Sequence, residues 1–189
     1  MNDVCDGRFA LELADTPVCR SHLHSLIRIF IIAAVAALLA SNGDPAQAQS
    51  FRQGVSAFNR LDYVSASRVF IPLAEQGVPA AQSYLGFMFE TGRGVPQNYT
   101  EAAMWYRRAA EQGDGRAQYS LGLLYDRGQG VPRDIVEASK WLNLSTAAAP
   151  LRAREARARI RDVVTTKMTR GEIAQARLRA LDWAPSRER

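Results

Sequence analysis

At 189 residues, with 47% hydrophobic and 23% charged content, the chain is sized for one domain with a substantial core. Its net charge is +5, and both cysteines (Cys5, Cys19) and both histidines (His22, His24) fall near the start. Residues 49–189 therefore hold no thiolate nucleophile, no Cys/His zinc ligands, no disulfide and no imidazole base.

The first element is an apolar run, Ile29 to Ala40 ("IFIIAAVAALLA"), behind Arg28 and ahead of the small-x-small triplet Ala46-Gln47-Ala48. Residues 1–48 thus read as a secretory signal, with the mature chain starting at Gln49. As a helix the run spans about 18 Å, short of a hydrocarbon core of about 30 Å. A retained membrane anchor is the second reading. Asp3, Asp6, Glu12 and Asp15 depart from a short positive n-region, and a start nearer Val18 to Leu26 would leave Arg20 and Arg28 as the basic flank.

Next comes "GVSAFNRLDYVSASRVFIPLAEQG" (54–77), whose close, Leu73-Ala74-Glu75-Gln76-Gly77, echoes Arg108-Ala109-Ala110-Glu111-Gln112-Gly113. A full repeat follows at an offset of 36 residues: "AQSYLGFMFETGRGVPQNYTEAAMW" (81–105) matches "AQYSLGLLYDRGQGVPRDIVEASKW" (117–141) at 11 of 25 positions without a gap. The repeated positions include Gly86, Gly92, Gly94, Pro96 and Trp105, then Gly122, Gly128, Gly130, Pro132 and Trp141.

Each copy predicts two helices. Ala81, Leu85, Met88 and Phe89 form the apolar stripe of the first, and Gly92 stands where a left-handed cap is expected. Asn98 with Glu101, and Asp134 with Glu137, have the spacing of N-caps for the second. Its apolar residues, Ala102, Trp105, Tyr106 and Ala109, run to a stop glycine at Gly113.

Glycine-rich loops ahead of helices also occur in phosphate sites. Here the third glycine of a dinucleotide fingerprint is replaced by Gln97 and Arg133, a helix precedes the loop instead of a strand, and no Gly-Lys-Ser/Thr is present. The loop reads as a turn, no cofactor is expected, and the two tryptophans read as core. Glu90 and Asp126, a repeated carboxylate pair, fit solvated or partner-facing groups better than acid/base catalysts.

These residues resemble the Sel1-like repeat, a relative of the tetratricopeptide repeat. The match covers about residues 51–147 of the 49–147 segment, as a partial copy at 51–77 and full copies at 79–113 and 115–147. The resemblance implies an all-α, right-handed α/α solenoid of about three helix pairs, and a non-catalytic scaffold that holds a protein or peptide. The first helices would line its concave face. There Ser83, Phe87 and Glu90, with their counterparts Tyr119, Leu123 and Asp126, are the candidate partner contacts.

Residues 150–189 complete the reading as a basic helical cap over the solenoid edge. Pro150 is expected at N1 of a helix with Ala153, Ala156, Ile160, Val163 and Val164 on its apolar stripe. Thr169 and Glu172 suggest a cap before a last helix, Ile173 to Trp183, in a segment similar to the closing helix of many exported Sel1-repeat proteins. "RAREARARIR" (152–161) is either a solvated helix face or a surface for an anionic partner; without interleaved aromatic residues, nucleic acid is not expected.

Localisation is expected to be exported, in the periplasm or secreted if the source is Gram-negative. Two alternatives accompany the scaffold. One is a membrane-tethered adaptor that keeps Ile29 to Ala40. The other follows from secreted members of the resembled family described as penicillin-binding or β-lactam-hydrolysing; those are cysteine-rich, unlike residues 49–189, and neither Lys140 nor Lys167 lies in a Ser-x-x-Lys motif.

Overall fold

The 36-residue repeat produces helices of equal length joined by equal turns. In the computed structural model, which describes residues 45–186, α1 (Pro45–Asn59) and α2 (Tyr63–Glu75) come first. Then follow α3 (Pro79–Thr91), α4 (Tyr99–Glu111), α5 (Gly115–Arg127) and α6 (Ile135–Ala147), each of 13 residues. The chain closes with α7 (Leu151–Thr165) and α8 (Arg170–Leu181). The apolar run Ile29 to Ala40, both cysteines and both histidines lie outside the described residues.

Neighbouring helices pack in sequence, α3 on α4, α4 on α5 and α5 on α6, so each pair leans on the next. Among the described residues there is no strand, and no helix is long and apolar enough to cross a membrane. This is an all-α solenoid. Three helix pairs, α1 with α2, α3 with α4 and α5 with α6, are followed by α7 and α8, each of which packs on α6.

Local chemistry sets the boundaries. Asn98 accepts from the amides of Thr100 and Glu101, and Asp134 accepts from those of Val136 and Glu137, which satisfies two orphan donors at each start. Neither site closes into a reciprocal box. The N-cap amides are already committed, Asn98 N–H to Phe89 C=O at 2.9 Å and Asp134 N–H to Tyr125 C=O at 3.1 Å. A full capping box forms at Thr169 and Glu172, where α8 begins.

The loops end α3 and α5 on left-handed caps, Gly92 (φ 70°) and Gly128 (φ 68°). The second glycine of each loop does something different. A β-carbon at Gly94 would strike the Tyr63 carbonyl, and one at Gly130 the Tyr99 carbonyl, so each loop lies backbone to backbone against the helix pair before it.

Two apolar clusters form the core, one around Phe70, Leu85 and Met88 and the other around Tyr106, Leu121, Leu124 and Leu142. Phe89 is half-buried and packs against both. Trp105 (8% exposed) belongs to the first and Trp141 (4%) to the second. Alanines at 74, 81, 102, 109, 110, 117 and 138 are fully buried, and their small side chains let the helices approach closely.

The repeated Gln82 and Gln118 are buried polar residues with a structural task. Their Nε2 groups donate to the carbonyls of Ala74 (3.0 Å) and Ala110 (3.2 Å), near the C-termini of α2 and α4. Each carbonyl also accepts from a backbone amide of the turn that follows, Gly77 N–H or Gly113 N–H at 3.0 Å, so the glutamine adds a second bond that ties the next helix to that turn. Arg154, 36 residues after Gln118, donates through Nη2 to the Ala149 carbonyl, just past the end of α6, at 3.2 Å.

The tail departs from its expected register. Pro150 is the N-cap of α7, one position before N1, with its carbonyl accepting from Ala153 and Arg154. Of the expected stripe only Val164 is buried; Ile160 is half-buried, while Ala156 and Val163 are exposed. The reason is Arg157, which stands 36 residues after the core residue Leu121 and turns inward. Its Nη1 donates to Gly115 C=O, Ser145 C=O and Ser145 Oγ, each at 2.9 Å. Beyond α8, Trp183 meets Trp141 edge to face at 6.3 Å, and Ser186 N–H donates to Glu111 C=O at 2.8 Å.

Candidate partner-binding groove

The alternation of the pairs places the odd-numbered helices side by side. Between them is a groove of about 810 Å3, within the size range of ligand clefts. Phe58 of α1 and Ser83, Tyr84 and Phe87 of α3 line one end. Tyr106 of α4 and Ser120 lie between, and Arg116, Tyr119, Arg157 and Ile160 form the other end, where α5 faces α7. Ala153, Ala156 and Arg159 complete the α7 wall.

The aromatic side chains support one another. Tyr84 stacks on Phe70 at 4.8 Å and meets Phe58 edge to face at 5.0 Å; Phe58 also meets Phe87 at 5.8 Å. Guanidinium groups cover several ring faces: Arg116 over Tyr84 and Arg157 over Tyr119, both at 5.9 Å, and Arg93 over Phe87 at 5.6 Å.

Tyr106 is buried, and its hydroxyl donates to Glu90 Oε2 at 2.7 Å. Burial first, then the Glu90 carboxylate beside it and the hydrogen bond to it, pushes the phenol far above its ordinary range. It stays a donor, which suits it to fixing Glu90 rather than to proton transfer. Burial also lowers the Arg157 pKa, against the opposing pull of Asp114.

Three of the six candidate contacts, Ser83, Phe87 and Tyr119, line this groove. The others do not. Leu123 is half-buried away from it, and Glu90 is engaged by Tyr106. Asp126 is ion-paired with Lys167 at 2.8 Å, which ties α5 to the turn between α7 and α8. The expected acidic character of the face gives way to an arginine-rich one.

Sequence reasoning missed Tyr84 and Arg116, and it did not join residues 152–161, read as a solvated face or a surface for an anionic partner, to the face that carries Ser83, Phe87 and Tyr119. One signal pointed there. Arg157 falls at the register of Leu85 and Leu121, and an arginine at a core position must be held by buried acceptors.

Geometry and pattern together define the class: an α/α repeat solenoid with an aromatic groove along its first helices. The Sel1 repeat model matches residues 79–114 and 115–149. A protective antigen of uropathogenic Escherichia coli strains displaying an SLR fold is similar in structure, with TM-score 0.66 and 31% identity over 76% of this chain and 30% of the antigen. A Sel1 repeat protein from Oxalobacter formigenes is similar with TM-score 0.56 and 28% identity, over 71% of this chain and 56% of that one. No curated protein sequence matches. Two Sel1 repeats are thus present in the chain, which spans less than two thirds of either solved relative.

Proposed function

We propose that this chain is a non-catalytic scaffold that holds a protein or peptide partner in the groove between α1, α3, α5 and α7. Sel1-repeat proteins are generally protein-interaction scaffolds, and their fold is typically non-catalytic. The observation that carries the reading is the aromatic lining, which gathers Phe58, Tyr84, Phe87 and Tyr119 from three helix pairs onto one concave face. Rigid aromatic side chains offer large contact area at low entropic cost, as interface anchors do.

The test is site-specific photo-crosslinking in the native host. A crosslinker in place of Phe87 is expected to yield a defined protein adduct, and one in place of the exposed Arg177 on α8 is not. Affinity for the captured partner, once isolated, should fall about tenfold or more in Phe87→Ala, as for a central aromatic anchor. Equal adducts from both positions would remove the groove from the interaction.

Export is proposed on the apolar run Ile29 to Ala40 and the triplet before Gln49. Cleavage there would fall in the first turns of α1 and remove Gln47, whose Nε2 donates to Gln76 Oε1 at 3.0 Å. It would also remove the Ala46 carbonyl that accepts from Ser50 Oγ at 2.9 Å, and such exposed hydrogen bonds are a small loss. N-terminal sequencing of the protein from the periplasm or medium should read from Gln49. A membrane-bound product that retains the run would favour the tethered adaptor.

A further inference from the structure

The groove has one sign of charge. Arg116, Arg157 and Arg159 reach it from α5 and α7, and no carboxylate is among the side chains that line it. Two acidic groups beside these arginines are already engaged. Asp114 caps α5, accepting from the amides of Arg116 and Ala117 at 2.9 Å. Glu155 pairs with Arg159 at 2.6 Å, but with side chains 78% and 75% exposed it is a surface contact that a partner can displace at little cost.

Resting on the scaffold reading above, we propose that the occupant is an acidic protein segment. Its carboxylates would meet Arg116 and Arg159, and an aromatic or large aliphatic side chain between them would lie against the ring edges of Phe87 and Tyr119, whose faces carry guanidinium groups. Guanidinium groups bind carboxylates in forked, charge-assisted pairs. Clusters of arginine are a recurrent means of reading acidic segments.

The geometry disfavours the other polyanions. Single-stranded nucleic acid needs free ring faces on which to stack bases. Here Tyr84 is stacked on Phe70 and covered by Arg116, while arginines lie over Phe87 and Tyr119. Lipid headgroups at a flat bilayer surface do not reach the floor of a concave groove, whereas an extended peptide does.

A random 12-residue display library, selected on the immobilised full chain, tests this. Selected peptides should be enriched in Asp and Glu around an aromatic or aliphatic residue. Affinity for a synthetic copy should fall about tenfold in Arg116→Glu and in Arg159→Glu, and stay within twofold in Arg177→Glu, which makes the same charge change on α8. All three positions are exposed, and circular dichroism with thermal melting checks that the variants are folded.

Neutral or basic peptides whose binding is lost in Phe87→Ala would overturn the acidic occupant and leave the groove reading standing. Failure to select any peptide sensitive to Phe87→Ala would overturn both. Tighter, Arg116-dependent binding of a 12-residue oligothymidine or of phosphatidylglycerol vesicles would transfer the groove to nucleic acid or membrane and overturn the proposal.

Discussion

Gly130→Ala is expected to lower the unfolding free energy by about 3 kcal/mol or more, through two separable causes. Gly130 has φ 70°, and an L-residue held there costs about 1–2 kcal/mol. The added β-carbon would also overlap the Tyr99 carbonyl, with the Thr100 amide nitrogen 2.7 Å away. That obstacle is backbone at the start of α4, fixed by the Asn98 cap, so relief means displacing one repeat from the next. For a domain of this size the loss corresponds to about 10 °C in melting temperature. Gly128→Ala supplies the control. Its φ is 68°, yet its nearest neighbour is the Arg133 β-carbon at 3.2 Å, a tight contact rather than the overlap with backbone found at Gly130. Thermal and urea unfolding should show Gly128→Ala costing only about 1 kcal/mol, the conformational part alone. Equal costs at the two positions would show that the contact between repeats is not rigid.

That comparison also marks what one sequence can disclose. The 36-residue offset announced paired helices because caps, glycines and apolar spacing are local. It exposed the left-handed turn at Gly92 for the same reason. The need for glycine at 94 and 130 is not local, since Gly130 answers to Tyr99, 31 residues earlier in the chain. The N-caps at Asn98 and Asp134 are local and form as expected, but whether the box closes depends on another helix. Asn98 and Glu101 have the right spacing, but the Asn98 amide is taken by a carbonyl of the preceding helix.

The groove was legible only in part. Helical spacing placed Ser83, Phe87 and Tyr119 on one face, and they meet there. Periodicity on α3 and α5 does not say that α7 faces them, and it is the fold that sets Arg157 and Arg159 of α7 beside Arg116 of α5. Glu90 and Asp126 looked available because they are hydrophilic and repeated. Their partners, Tyr106 and Lys167, lie 16 and 41 residues away and are found only by folding.

Trp141→Ala is expected to cost about 3–5 kcal/mol, the range for removing a buried tryptophan or phenylalanine. The indole is 4% exposed, belongs to the larger core cluster and sits on α6, which packs against α5, α7 and α8. Alanine there opens a cavity at the junction of three helices and removes the ring that Trp183 contacts at 6.3 Å. Loosening should therefore concentrate at the C-terminus, with faster amide exchange at Ser186, whose N–H is bonded to Glu111. A double-mutant cycle with Trp183→Ala should give a coupling of about 0.5–1.5 kcal/mol, the scale of an edge-to-face pair.

Trp141→Phe separates packing from recognition. The indole N–H is buried without a hydrogen-bond partner among the described residues, so phenylalanine forfeits no bond and should recover most of the stability. The groove is lined by the odd-numbered helices together with Tyr106, and not by α6. Partner affinity in Trp141→Phe should therefore match that of the parent. If melting is unchanged while affinity falls, the indole belongs to recognition and its place in the core argument is lost.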